Sequence, residues 1–148
     1  MTDLNANTSS SITFDKATKV YPGSSDPALD GLNLTVEPGE LISLVGPSGG
    51  GKTTALQLVN RLVNLSSGDI RIGERSIMDI PPIELRRTIG YAIQQSGLFP
   101  HLTVAQNIGV VPRILGWDKH KINSRTHELL DLLGMTPAHD WDCLLYTS

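Results

Sequence analysis

The chain has 148 residues, 39% of them hydrophobic and 18% charged, and carries 12 basic against 15 acidic residues for a net charge of −3. That much apolar material supports one packed domain or part of one and excludes disorder throughout. No run of Lys and Arg stands out, so nucleic acid is not an expected partner; the single cysteine, Cys143, excludes an internal disulfide framework and accords with a reducing compartment.

Residues 1–10 are expected to form a disordered tail. They lack a basic stretch followed by an apolar run and do not resemble a signal peptide. The longest apolar runs, such as Leu41–Val45, are strand-sized and too short to cross a bilayer. The expectation is a protein that stays in the cytosol unless a partner holds it at a membrane. Ile12 to Tyr21 is strand-like and ends at Pro22-Gly23, and Gly23 to Pro27 is a loop by its turn residues. Leu32, Leu34 and Val36 alternate with polar neighbours, the period of a half-buried strand. Glu37-Pro38-Gly39-Glu40 turns the chain into Leu41–Val45, which is consistent with a buried parallel strand. A glycine-rich stretch follows, and then Ala55, Leu56, Leu58, Val59, Leu62 and Val63 recur at helical spacing. Ser66 to Asp69 is expected as a turn, Ile70 and Ile72 as a strand fragment, and Pro81-Pro82 as the start of a short helix through Leu85 and Arg86. Ile89 to Ile93 is expected as a further strand. Thr103 to Ile108, and later Ile122, Thr126, Leu129, Leu130 and Leu133, have helical spacing, with Asp118 as N-cap and Gly134 as stop of the second helix.

The glycine-rich stretch Gly46-Pro47-Ser48-Gly49-Gly50-Gly51-Lys52-Thr53-Thr54 carries the chemistry. Gly46, Gly51, Lys52 and Thr53 match G-x-x-x-x-G-K-[ST]. Phosphate oxygens need close approach to the backbone, which Cβ atoms would obstruct, and glycines let several N–H groups turn inward. The helix that follows points its N-terminal dipole at the same anion. Lys52 adds a mobile positive charge for the β- and γ-phosphates, and Thr53 offers a hydroxyl to Mg²⁺. An accidental match in a chain this long has a chance below about 1 in 100 at average residue frequencies. The loop alone leaves the reaction open among small-molecule kinases, GTPases, motor ATPases and transport ATPases.

Three features resemble the ATP-binding cassette (ABC) transporter ATPases. The phosphate loop is close to that family's G-P-S-G-[CS]-G-K-[ST]-T. Ile89 to Val104, with Gln94-Gln95 and Phe99-Pro100-His101, resembles the family's Q-loop segment and the start of its helical subdomain. Tyr21, in Lys19-Val20-Tyr21, matches the aromatic position that stacks on adenine. The resemblance covers about Ile12 to Asp142 and implies an α/β P-loop NTPase fold: N-terminal antiparallel strands, an incomplete RecA-like parallel sheet core, and the start of a helical subdomain. It divides the chain into a nucleotide-binding part at 11–101, a helical part at 102–142 and an atypical tail at 143–148.

It also implies ATP and Mg²⁺ as cofactors, with Lys52 and Gln94 catalytic and Thr53 and Gln94 on the metal. Gln94 is a neutral amide that can offer its oxygen to Mg²⁺ and its NH₂ to the attacking water. Gln95 is its rival, and the family register counted back from Pro100-His101 selects Gln94. Tyr21 has an alternative as a packed strand-end tyrosine. His101, His120, His127 and His139 form no ligand-like cluster and Cys143 stands alone, so a zinc site is not expected.

Val59-Asn60-Arg61-Leu62, Ile89-Gly90-Tyr91, Leu98 to Ile108 and Val110 to Trp117 most resemble the ATPases of osmoprotectant importers, which serve glycine betaine, choline, carnitine or proline. The implied partners are permease subunits at the inner face of the membrane, a second ATPase subunit and, indirectly, a substrate-binding protein. The family's signature loop, Walker B strand and switch histidine do not occur in these residues, and Cys143 to Ser148 departs from the family pattern as a truncation would. The fragment is therefore expected to bind Mg-ATP, to hydrolyse it poorly and to be aggregation-prone alone. The alternatives are a nucleotide-binding module without hydrolysis, an ABC ATPase for another solute, and a P-loop kinase.

Overall fold

A computed structural model describes residues 10–92 and 97–135, and the chain divides into two compact units, Met1–Tyr91 and Ala92–Ser148. In the first unit, β1 (Ile12–Lys19) and β2 (Leu29–Val36) precede α1 (Lys52–Val59), followed by β3 (Ser67–Ile72), the two-residue β4 (Arg75–Ser76), a 3-10 turn (Ile77–Asp79) and α2 (Pro82–Thr88). The sheet order is β2-β1-β3-β4, and every pair is antiparallel. β1 carries a bulge between Phe14 and Ala17, where Lys16 takes a φ of 47° and its N–H donates to Asn33 Oδ1 at 2.9 Å. The bulge resets the alternation, so Phe14 and Ala17 both face the core although they are an odd number of residues apart.

Ala55, Leu58 and Val59 of α1 pack with Phe14, Ala17, Ile70, Ile77 and Leu85 to form that core. Each of the fully buried large side chains, Leu58, Ile70, Ile77 and Leu85, contributes about 1.5–3 kcal/mol by leaving water. Arg61, at a φ of 48° just past α1, donates from one guanidinium nitrogen to the carbonyls of Ile77 (3.0 Å) and Ile80 (2.7 Å). The end of α1 is thereby tied to the segment that leads into α2.

Four expectations change here. Leu41–Val45 forms no strand: Leu41 is 96% and Val45 91% exposed. A strand exists only where a neighbour completes its ladder, and no described segment pairs with this one. With Ile12, Phe14, Leu34 and α1 it borders an apolar cleft of about 270 Å³. Ile89–Ala92 likewise has no regular structure, and Ile93 lies outside the described residues. Ser67 to Asp69 belongs to β3 instead of a turn, because Ser67 and Asp69 pair with Thr18 and Asp15 of β1. Helix α1 stops at Val59, so Leu62 and Val63 lie beyond it, and Leu56 is half exposed.

The second unit contains α3 (Val104–Ile108), α4 (Val110–Ile114) and α5 (Lys119–Leu132). Thr103 and Gln106 form a reciprocal capping box at α3. Asp118 caps α5 by accepting the Lys121 N–H at 2.9 Å, and Gly134, at a φ of 70°, ends it. Ile122, Thr126 and Leu130, four residues apart, are the buried face of α5, whereas Leu132 and Leu133 are exposed. Helix α4 was not expected; Pro112 sits in its first turn, where the missing N–H has no helical acceptor to lose. The expected tail at 1–10 and the residues beyond 135 lie outside the described residues apart from Ser10.

Candidate functional site

Helix α1 begins in a way that favours an anion. Its N-cap is Gly51, no side chain caps it, and no acidic residue lies in its first turn. The N–H groups of Lys52, Thr53 and Thr54 therefore have no acceptor within the helix, and the positive end of the dipole is uncompensated. These residues and Ser48 to Gly51 line a polar concavity of about 190 Å³.

The loop is held by its glycines. Gly50 donates its N–H to the Pro47 carbonyl at 3.2 Å, closing a tight turn, and Gly49 within that turn has a φ of 81°. Gly51 has a φ of 75°, and a Cβ there would lie 2.3 Å from the Ala28 carbonyl oxygen and 3.3 Å from Leu29 Cδ1. No side chain larger than hydrogen fits, so the loop packs directly on the start of β2.

Lys52 folds back across the loop and donates from Nζ to the carbonyls of Gly46 (2.9 Å) and Pro47 (2.6 Å). Its charge is thus held over the concavity by weak neutral acceptors that phosphate oxygens would displace. The two threonines differ: Thr54 is buried in α1, whereas Thr53 is exposed. Of the two, Thr53 is the one whose hydroxyl is open to a ligand in the concavity, which the exposed Ser48 also lines. With no carboxylate among Gly46 to Thr54, the donor set fits a polyphosphate.

Tyr21 does not lie in β1, which ends at Lys19; it opens a turn in which Ser24 donates its N–H to the Tyr21 carbonyl at 3.1 Å. The residue is 37% exposed, so it is not a packed core tyrosine. Ala28 donates its N–H to the Lys19 carbonyl at 2.8 Å, and the Ala28 carbonyl abuts Gly51. The loop bearing Tyr21 is thereby anchored at the residue against which the phosphate loop packs. The sequence reading gave no role to Lys19, whose Nζ sits 5.1 Å from the Tyr21 ring centroid. The Lys-x-Tyr spacing was the available signal. Gln94 and its rival Gln95 lie outside the described residues. His101 packs edge-on to Phe99, with centroids 6.0 Å apart.

Comparison with known proteins gives this geometry a family. The ABC transporter family model matches residues 29–144, most of the chain. The chain belongs to the ABC transporter family. It is 46% identical over 128 residues to the choline transport ATP-binding protein OpuBA of Bacillus subtilis, covering 86% of this chain and 33% of that protein. It is 51% identical over 108 residues to the osmoprotectant import ATP-binding protein OsmV of Salmonella typhimurium, covering 73% of this chain and 28% of that protein. This ABC transporter chain thus spans about a third of the length of the curated relatives it matches. Its fold is similar to that of a dimeric ATP-binding cassette in a post-hydrolysis state bound to ADP and Pi, at a TM-score of 0.76 and 26% identity, over 93% of this chain and 63% of that one. The α/β P-loop NTPase fold expected from the sequence is therefore the observed one, although the described sheet is antiparallel throughout.

Proposed function

We propose that this chain supplies the nucleotide-gripping part of an ATP-hydrolysing subunit that energises an importer of quaternary-amine osmoprotectants. The observation that carries the reading is the uncapped N-terminus of α1, with Lys52 Nζ held across the loop by the Gly46 and Pro47 carbonyls. The Thr53 hydroxyl and Gln94 are assigned to Mg²⁺, and Tyr21 to the face of adenine. Mg²⁺, when bound, neutralises charge on the β- and γ-phosphate oxygens.

Lys52 exchanges its two carbonyl acceptors for phosphate oxygens, which puts its charge on the polyphosphate. The first-turn N–H groups of α1 take further oxygens. Gln94 orients the attacking water. The solute class rests on the choline and osmoprotectant relatives, because an ATP-binding subunit does not itself touch the cargo. In the whole subunit, two copies close on ATP and dock on permeases at the inner face of the membrane, with a solute-binding protein acting at a distance. Among the described residues no helix is long and apolar enough to cross a membrane, in keeping with attachment through partners.

The assignment is tested by titrating Mg-ATP and inorganic tripolyphosphate into the chain and its variants. Lys52→Ala is expected to weaken both ligands roughly tenfold or more, the value of hydrogen bonds to charged groups. Tyr21→Ala is expected to weaken ATP alone, roughly fivefold or more, the value of base stacking on an aromatic ring. Equal loss of both ligands in Tyr21→Ala would remove the adenine assignment.

A further inference from the structure

We infer that Lys19 is a positioning residue for the nucleotide base, acting through the Tyr21 ring; the inference rests on the assignment of Tyr21 to adenine. Lys19 Nζ lies 5.1 Å from the Tyr21 centroid, within the range of cation–π attraction. An aromatic ring has two faces. A cation against one of them leaves the other for a flat ligand and draws electron density away from it, which improves stacking with an electron-rich purine.

The backbone holds this arrangement. Lys19 is the last residue of β1 and pairs with Leu29 of β2, and its carbonyl accepts the Ala28 N–H. The Tyr21 carbonyl is fixed by the Ser24 N–H. Both partners of the cation–π pair are therefore tied at the backbone, one to the strand edge that abuts Gly51 and the other to its own turn. Lys19 is half-buried, so its stem packs while its charge is spent on the ring. Neither ion pair seen among the described residues involves it. Among the described residues, the ring is the one side-chain partner of this charge.

The test uses the 148-residue chain with Lys19→Met, which keeps the length of the stem and removes the charge, and Lys19→Arg, which keeps the charge. Calorimetric titration with Mg-ATP and with inorganic tripolyphosphate separates the base from the phosphates. Lys19→Met is expected to weaken ATP roughly two- to fivefold, the value of an exposed cation–π pair, with tripolyphosphate unchanged and Lys19→Arg close to the parent. In a Tyr21→Ala background the Lys19→Met effect is expected to vanish. If Tyr21→Ala weakens ATP while Lys19→Met does not, the inference is overturned and the adenine assignment survives. Equal weakening of ATP and tripolyphosphate by Lys19→Met would show Lys19 acting on the phosphates or on folding, and would also overturn it. If Tyr21→Ala leaves ATP binding unchanged, the adenine assignment fails first and this inference with it.

Discussion

Gly51 and Gly46 occupy the two ends of the same loop and make opposite demands on a side chain. At Gly51 an added Cβ meets the Ala28 oxygen at 2.3 Å in a left-handed backbone; at Gly46 it meets nothing within 4 Å. Gly51→Ala is expected to destabilise the chain by more than about 1–2 kcal/mol, the left-handed penalty alone, as read from a denaturant midpoint. Gly46→Ala is expected to hold stability within about 0.5 kcal/mol and to lose affinity only for polyphosphate. Equal stability of the two variants would contradict the packing described at Ala28. The need for Gly51 was legible in the sequence as a motif position, but its reason was not. The motif requires room for phosphate, whereas the structure adds a contact with β2 that only the folded chain brings to the loop. The placement of Lys52 and Thr53 was legible for the opposite reason: charge and hydroxyl at the start of a helix are local facts. The contact of Lys19 with the Tyr21 ring was not, because a cation over a ring depends on how two side chains turn at a strand end.

Among the elements, the hairpin of β3 and β4 shows how a local network makes stability depend on pH. Burial raises the Asp69 carboxyl, but hydrogen bonds from the Ser76 hydroxyl (2.6 Å), Arg71 Nε (3.0 Å) and the Ile70 N–H (2.8 Å), with the Arg71 charge, outweigh it and hold the carboxyl below its ordinary value. A carboxylate with a lowered folded pKa stabilises the fold fully above its unfolded value of about 3.9, and the gain is lost as pH falls through the folded value. The unfolding free energy is therefore expected to drop below about pH 4, and Asp69→Asn to lower stability at neutral pH while flattening that acid limb. An unchanged acid limb in chemical unfolding of Asp69→Asn would contradict the network. Asp118 is lowered as well, chiefly by the Lys121 N–H that it caps, and titrates in the same direction. The capped helix α5 was legible to the residue because a cap and its stop are short-range signals. Leu41–Val45 was misread because its composition describes an environment without naming the neighbour that would create it. Helix α4 was missed because Pro112 reads as a breaker until the register places it in the first turn.

At the scale of the molecule, the division at Tyr91 and Ala92 separates a unit that carries every described residue assigned to the nucleotide from a helical one. The first unit joins Tyr21, the phosphate loop and the core of α1 through one short backbone path, from Lys19 to Ala28 to Gly51. The apolar segment at 41–45 stands exposed immediately before that loop, the kind of surface that promotes association between copies. The central claim is that this unit grips the polyphosphate of Mg-ATP through Lys52 and the α1 N-terminus. It is tested most directly by isothermal titration of Mg-ATP into the parent chain and Lys52→Ala, with circular dichroism to establish that both are folded. Saturable one-to-one binding by the parent, weakened roughly tenfold or more in Lys52→Ala, is the predicted result. Equal affinity in the two folded chains, or no saturable binding by the folded parent, would contradict it.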